Sequence, residues 1–107
     1  MRGKKFQPCS GPAVGGIDRS SRKLHGSASA ADAFTLRSLA EHVDEVRELL
    51  GRGDGHWKAE TLDIIIHALV LLKRHGVKED EIAGLFERRT GRFKEKIRDA
   101  LVEQRQS

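Results

Sequence analysis

The stretch LDIIIHALVLL, residues Leu62–Leu72, decides the fold, because nine of its eleven residues are apolar. These residues fall on every side of a helix, and a helix that is apolar all round is buried all round. A fold of roughly 75 ordered residues rarely buries one helix completely by itself. We therefore expect this helix to pack against a second copy of the chain, in a homo-oligomer that is a dimer or a tetramer.

Helical periodicity continues on both sides of this stretch. From Phe34 to Leu50, apolar residues recur at steps of three and four, which is typical of an amphipathic helix. No proline occurs after residue 12, and no stretch alternates as a strand does. The predicted helices run from Ser29–Asp32 to Gly51, from His56 to His75, from Lys78 to Arg89 and, after a break at Gly91, from Arg92 to Gln104. The sequence thus predicts an all-α fold, a bundle of about four helices completed by oligomerisation.

The net charge of +4 is unevenly distributed along the chain. Residues 1–30 carry six basic side chains and one acidic one, residues 31–87 carry seven and twelve, and residues 88–107 carry seven and three. Residues 1–30 also hold both prolines, five glycines and few large apolar residues, so we predict a disordered basic tail there and a helical domain over residues 31–107. No run is long enough for a membrane span or a secretory signal, which leads us to expect a cytoplasmic protein.

Two polar residues, Asp63 and His67, interrupt the apolar stretch. They lie four residues apart and share one face with Glu60. A buried carboxylate is costly unless it is paired or binds a metal. His67 alone would satisfy Asp63, but a second acid beside it favours a bound cation.

A second acidic stripe, formed by Glu41, Asp44, Glu45 and Glu48, lies on the preceding helix. A solvated acidic face is the simpler interpretation of such a stripe. If the two helices are antiparallel neighbours, however, both stripes meet near the loop that joins them. Ligands that are all oxygen suit Mg²⁺ or Mn²⁺ better than zinc.

The spacing of these acids resembles a known signature. Asp44-Glu45-x-x-Glu48, then eleven residues, then Glu60-x-x-Asp63 is similar to the motif of the MazG-type all-α nucleotide pyrophosphohydrolases. The segment 60–99, with Asp63-x-x-x-His67 and a Gly-Val turn, looks most like the phosphoribosyl-ATP pyrophosphohydrolases. Asp44 stands where the family has Glu, and residues 1–39 match nothing in that branch, so a general nucleoside triphosphate fits better as the substrate.

The resemblance implies Mg²⁺-dependent cleavage of a nucleoside triphosphate, or of phosphoribosyl-ATP, to a monophosphate and pyrophosphate. It makes Glu45, Glu48, Glu60 and Asp63 the metal ligands. Asp44 or Glu41 would accept the proton of the attacking water, and His67 would orient Asp63 or contact the substrate. The candidate phosphate contacts are Lys73, Arg74, Arg88, Arg89, Arg92, Lys94 and Lys96. No role is assigned to His42, His56 or His75.

Two other functions remain open. The basic run Arg88–Arg98 is compatible with a nucleic-acid-binding module, although the acidic centre of the chain would repel phosphates unless a metal is bound. The second is a non-catalytic helical oligomer that serves as a scaffold or regulator.

Overall fold

The computed structural model describes residues 12–106. It consists of four α-helices, namely α1 (Pro12–His25), α2 (Ala28–Arg52), α3 (Trp57–Arg74) and α4 (Glu79–Gln106). The all-α class that the periodicity predicts is confirmed. The chain divides into two compact units, Met1–Val77 with α1 to α3 and Lys78–Ser107 with α4. None of the helices within this described range is long and apolar enough to cross a membrane.

Helix α2 is capped at both ends by its own sequence. The Ser27 hydroxyl accepts a hydrogen bond from the backbone N–H of Ala30 at 3.1 Å, which satisfies a free donor of the first turn. The helix passes through Gly51, the predicted end, and stops at Arg52 because Gly53 adopts a left-handed conformation with φ of 70°. The prediction therefore placed the end of α2 within two residues.

Helix α3 matches the prediction closely and contains the apolar stretch. It packs on α2 and α1, with Leu69 and Val70 buried. Leu62, Ile65 and Ile66, by contrast, are 51%, 38% and 39% exposed. The burial on all sides that the sequence pattern predicts is therefore not reached within this chain.

Helix α1 corrects the prediction of a disordered tail over residues 1–30, which is wrong for residues 12–25; residues 1–11 lie outside the described range. The carboxylate of Asp18, a residue only 5% exposed, pairs with Arg22 at 2.8 Å and with Arg74 of α3 at 2.7 Å. The prediction considered apolar burial alone. A buried ion-pair network anchors this helix, although it is rich in glycine and serine.

Helix α4 corrects the prediction of a break at Gly91. The third and fourth predicted helices are one continuous helix of 28 residues. A glycine inside a helix costs about 1 kcal/mol relative to alanine, which weakens a helix without ending it. Among the described residues, positive φ occurs at Gly26, Gly53 and Gly76, which lie between helices, and Gly91 keeps helical backbone angles.

The inner face of α2 determines where the site lies. Ala31, Thr35, Ser38 and Leu49 are buried along α2 at helical spacing. His42 and Glu45 continue this helical spacing between Ser38 and Leu49. They therefore lie on the side of α2 that packs on α3.

Candidate functional site

A polar cluster lies between α2 and the first turns of α3. His42 Nδ1 is 2.5 Å from Glu60 Oε2 and 4.0 Å from Asp63 Oδ2. One donor atom of each of these three residues lies within 4.8 Å of the other two, and all three are half-buried. Two of the four predicted metal ligands, Glu60 and Asp63, are therefore brought together, but around a histidine.

Glu45, a third predicted ligand, joins this cluster through Glu60. A hydrogen bond with the carboxyl group of Glu60 raises the pKa of Glu45, and the negative charges of Glu60 and Glu48 raise it further. Conversely, the hydrogen bond with His42 lowers the pKa of Glu60 and outweighs its partial burial. The two carboxyl groups thus compete for one proton, as expected of acids held close together.

Glu48, the fourth predicted ligand, lies at the margin of the cluster. Its side chain is two-thirds exposed, and Arg52 donates to its Oε1 at 3.4 Å. Its charge still reaches the cluster, because it contributes to the raised pKa of Glu45.

The histidines to which the sequence analysis gave no role have acidic partners. His42 contacts Glu60 and Asp63, and His56 Nε2 lies 3.6 Å from Glu60 Oε1. The signal for His42 was present in the sequence, because it belongs to the buried series of α2 and lies three residues before Glu45. The signal for His56 was its position four residues before Glu60.

His67 borders the cluster on α3. Its ring centroid is 5.2 Å from that of His42. Burial lowers the pKa of His67, the charge of His42 lowers it further, and the charge of Asp63 acts against both. The lowered pKa favours the neutral form of His67. The residue lies beside the acids, and no hydrogen bond pairs it with Asp63.

The two candidate proton acceptors lie outside the polar cluster. Asp44 follows His42 by two residues, about 200° around the helix, and its side chain is 75% exposed. Arg47 lies 3.6 Å from it and forms an exposed pair. Glu41 is also exposed, but it lies four residues before Glu45 on the same side of α2.

The basic candidates occupy three different surroundings. Lys73 is ten residues beyond Asp63 on α3, about 15 Å along the helix axis. Arg74 has no exposed side-chain surface and is held by Asp18 and Asp32, so its predicted phosphate contact is replaced by a structural role. The remaining candidates are exposed side chains of α4, namely Arg88, Arg89, Arg92, Lys94 and Lys96.

An open cavity adjoins the polar cluster. It has a volume of about 550 Å³ and lies among α1, α2 and α3, with Ile17, Phe34 and Val70 among its mostly apolar lining. His67 forms part of its wall and also faces His42. His67 thus links the cavity to the polar cluster.

Comparison of the chain with protein-family models, with curated proteins and with solved structures finds no match. Evidence for a function comes instead from the geometry of the α2–α3 cluster and from the spacing of its acids.

Proposed function

We propose that the protein is a nucleotide pyrophosphohydrolase that uses Mg²⁺ or Mn²⁺ to cleave a nucleoside triphosphate, or phosphoribosyl-ATP, to a monophosphate and pyrophosphate. The observation that carries the proposal is that Glu60 and Asp63 come together with His42 between α2 and α3, while Glu45 interacts with Glu60. Glu45, Glu60 and Asp63 are three of the four metal ligands that the resemblance to the MazG-type enzymes implies.

The donor set fits a divalent cation. Glu45 and Glu60 interact closely enough to shift each other's pKa, and both groups are anionic at neutral pH when isolated. A cation relieves the repulsion between them. Carboxylate oxygens suit Mg²⁺ and Mn²⁺. When bound, the cation would neutralise phosphate charge and lower the pKa of a bound water.

The residues around the donors have separate proposed roles. His42 holds the carboxylate of Glu60 in place through their hydrogen bond. Glu41 accepts the proton of the attacking water in preference to Asp44, since it lies on the Glu45 side of α2. His67, whose pKa is lowered by burial, lies on the cavity wall and contacts the nucleoside. Glu48 is the outermost acid of the set. Lys73 is the candidate phosphate contact in the same unit as the cluster, and Arg88, Arg89 and Arg92 of α4 stay candidates from the sequence alone.

A second candidate function is a non-catalytic helical oligomer. The observation that favours it is the short His42–Glu60 hydrogen bond, which satisfies a half-buried acid without any cation. Apolar side chains are exposed on α2 and α3, among them Leu36, Val43 and Ile66. They could pack against a second copy of the chain in the enzyme and in the non-catalytic oligomer alike. We propose a cytoplasmic homo-oligomer for both candidates.

Pyrophosphate release from a panel of nucleoside triphosphates and phosphoribosyl-ATP, with and without Mg²⁺ or Mn²⁺, tests the enzyme proposal. We expect metal-dependent release with at least one substrate, and its loss in Glu60→Gln and Asp63→Asn. Glu103→Gln, which removes an exposed acid of α4, is the matched control and should keep full activity. No metal-dependent release from any substrate, or equal rates in all four proteins, overturns the proposal.

A further inference from the structure

Helix α4 forms a unit of its own and carries an apolar side along its length. The helix is 28 residues long and none of its residues is buried. Ile82, Phe86, Phe93 and Ile97 follow one another at intervals of four, seven and four, which places them along one side, and Phe86 is 70% exposed. Because most helix stability in proteins comes from packing of an apolar face, a helix of this kind requires a partner.

The charges of α4 indicate what that partner is. The helix carries seven acidic and seven basic residues, so its net charge is zero and it lacks the excess positive charge that phosphates or an anionic membrane would attract. The charges are segregated, however. Residues 79–87 hold four acids and no base, whereas residues 88–106 hold seven bases and three acids. An antiparallel copy of the same helix places the negative part of each against the positive part of the other.

We propose that α4 pairs antiparallel with α4 of a second copy of this chain. The symmetric register that matches the apolar side places Phe86 opposite the partner subunit's Phe93, and Ile82 opposite the partner subunit's Ile97. Aromatic pairs of this kind add stability beyond the area they bury. Arg89, whose guanidinium lies 5.6 Å from the Phe93 ring centroid of its own helix, flanks the centre of the pair.

The same register gives the flanking charges opposite partners. Glu87 lies on one flank of the apolar side together with Lys94, and Glu81 lies on the other flank together with Lys96. In the antiparallel pair, Glu87 falls near the partner subunit's Lys94 and Glu81 near the partner subunit's Lys96. This pairing specifies one contact of the proposed oligomer and does not depend on nucleotide chemistry.

A charge-swap series, read by sedimentation velocity on the full chain without metal or nucleotide, tests the pairing. We expect the wild type to associate, and both Glu81→Lys/Glu87→Lys and Lys94→Glu/Lys96→Glu to associate at least tenfold more weakly. The chain with all four substitutions should regain the wild-type state. Glu95→Lys, on the opposite side of α4, is the control and should leave the association unchanged. A monomeric wild type, or a four-substitution chain that stays dissociated, overturns the proposal.

Disulfide cross-linking tests the direction of the pair. In a Cys9→Ser background, Thr90→Cys lies beside the twofold axis and should form a covalent dimer under mild oxidation. Ile82→Cys should not, because the two copies of residue 82 lie about 22 Å apart along an antiparallel pair. Cross-linking at both positions indicates parallel helices, and cross-linking at neither indicates another partner, so each result contradicts the proposal. These two experiments test the α4 pairing alone, and the pyrophosphate-release assay tests the enzyme proposal independently of them.

Discussion

Arg74, the last residue of α3, donates a hydrogen bond from Nε to Oδ1 of Asp18, 56 residues earlier, at 2.7 Å. Its Nη1 donates to Asp32 at 2.7 Å and to Thr35 at 3.2 Å. The guanidinium has no exposed surface, and none of its buried nitrogen atoms lacks a hydrogen-bond partner. One side chain thus joins α1, α2 and α3, and it explains how a segment with few apolar residues packs as a helix.

Replacing Arg74 with Met tests this role. The methionine keeps the apolar part of the side chain but leaves Asp18 and Asp32 without their shared cation. Removal of one partner of a buried ion pair costs about 3–5 kcal/mol, and Arg22 still pairs with Asp18, so we expect a loss near the lower end of that range. The free energy of unfolding from urea titration measures it. Arg37→Met, at an exposed position of α2, is the control, and an equal loss in both variants contradicts the role.

The same network predicts how stability depends on pH. For Asp18, burial raises the pKa, but hydrogen bonds and charges from Arg22 and Arg74 outweigh it, and the pKa lies below its ordinary 3.8. The hydrogen bond from Arg74, with that from His75, lowers the pKa of Asp32 as well. A folded-state pKa below the unfolded one means that the unfolded chain binds more protons. The stabilisation is therefore present above about pH 4 and is lost as the pH falls further.

Urea unfolding between pH 3 and pH 7 measures this dependence. In the wild type, we expect the urea concentration at the unfolding midpoint to decrease as the pH falls below about 4. The fall should be shallower in Asp18→Asn, which has one titrating carboxylate fewer. A midpoint that is constant over this range, or an equal slope in both proteins, contradicts the assignment.

The helices were predictable where the sequence repeats at three and four residues. Both ends of α3 fall within one residue of the prediction, because a long apolar run and Gly76 mark them. Helix α1 was not predictable, since its anchor Arg74 is far away in sequence, and no periodicity of residues 1–30 reveals that ion pair. Gly91 was misjudged because a glycine in sequence looks the same whether its φ is positive or helical.

The candidate site was predictable in part for the same reason. The spacing of Glu60 and Asp63 places them on one face whatever their surroundings, and the structure does bring them together. The role of His42 depends on which side of α2 packs on α3, and the spacing of the acids carries no information about this. Glu41, Asp44 and Glu48 share the stripe but lie outside that packed side, and Asp44 is the farthest from it.

Two glycines at the end of α2 form a matched pair for a stability test. Gly51 has helical backbone angles, and an added Cβ would meet nothing within 4 Å, so Gly51→Ala should stabilise the protein by roughly 0.5–1 kcal/mol. Gly53 has equal space but a φ of 70°, so Gly53→Ala should destabilise it by about 1 kcal/mol. Thermal unfolding followed by circular dichroism measures both. Shifts of the same sign would show that α2 does not end as described.

His42→Ala separates a cation site from a purely structural pair. If the cluster binds Mn²⁺, loss of the hydrogen bond that orients Glu60 should weaken Mn²⁺ binding by roughly 10–100-fold. His75→Ala is the matched control, because it removes another His–carboxylate contact, to Asp32 at 2.7 Å, outside the cluster. Titration with Mn²⁺ followed by electron paramagnetic resonance gives the affinities. A structural pair predicts that both variants lose stability while neither changes Mn²⁺ binding, and that result favours the non-catalytic oligomer.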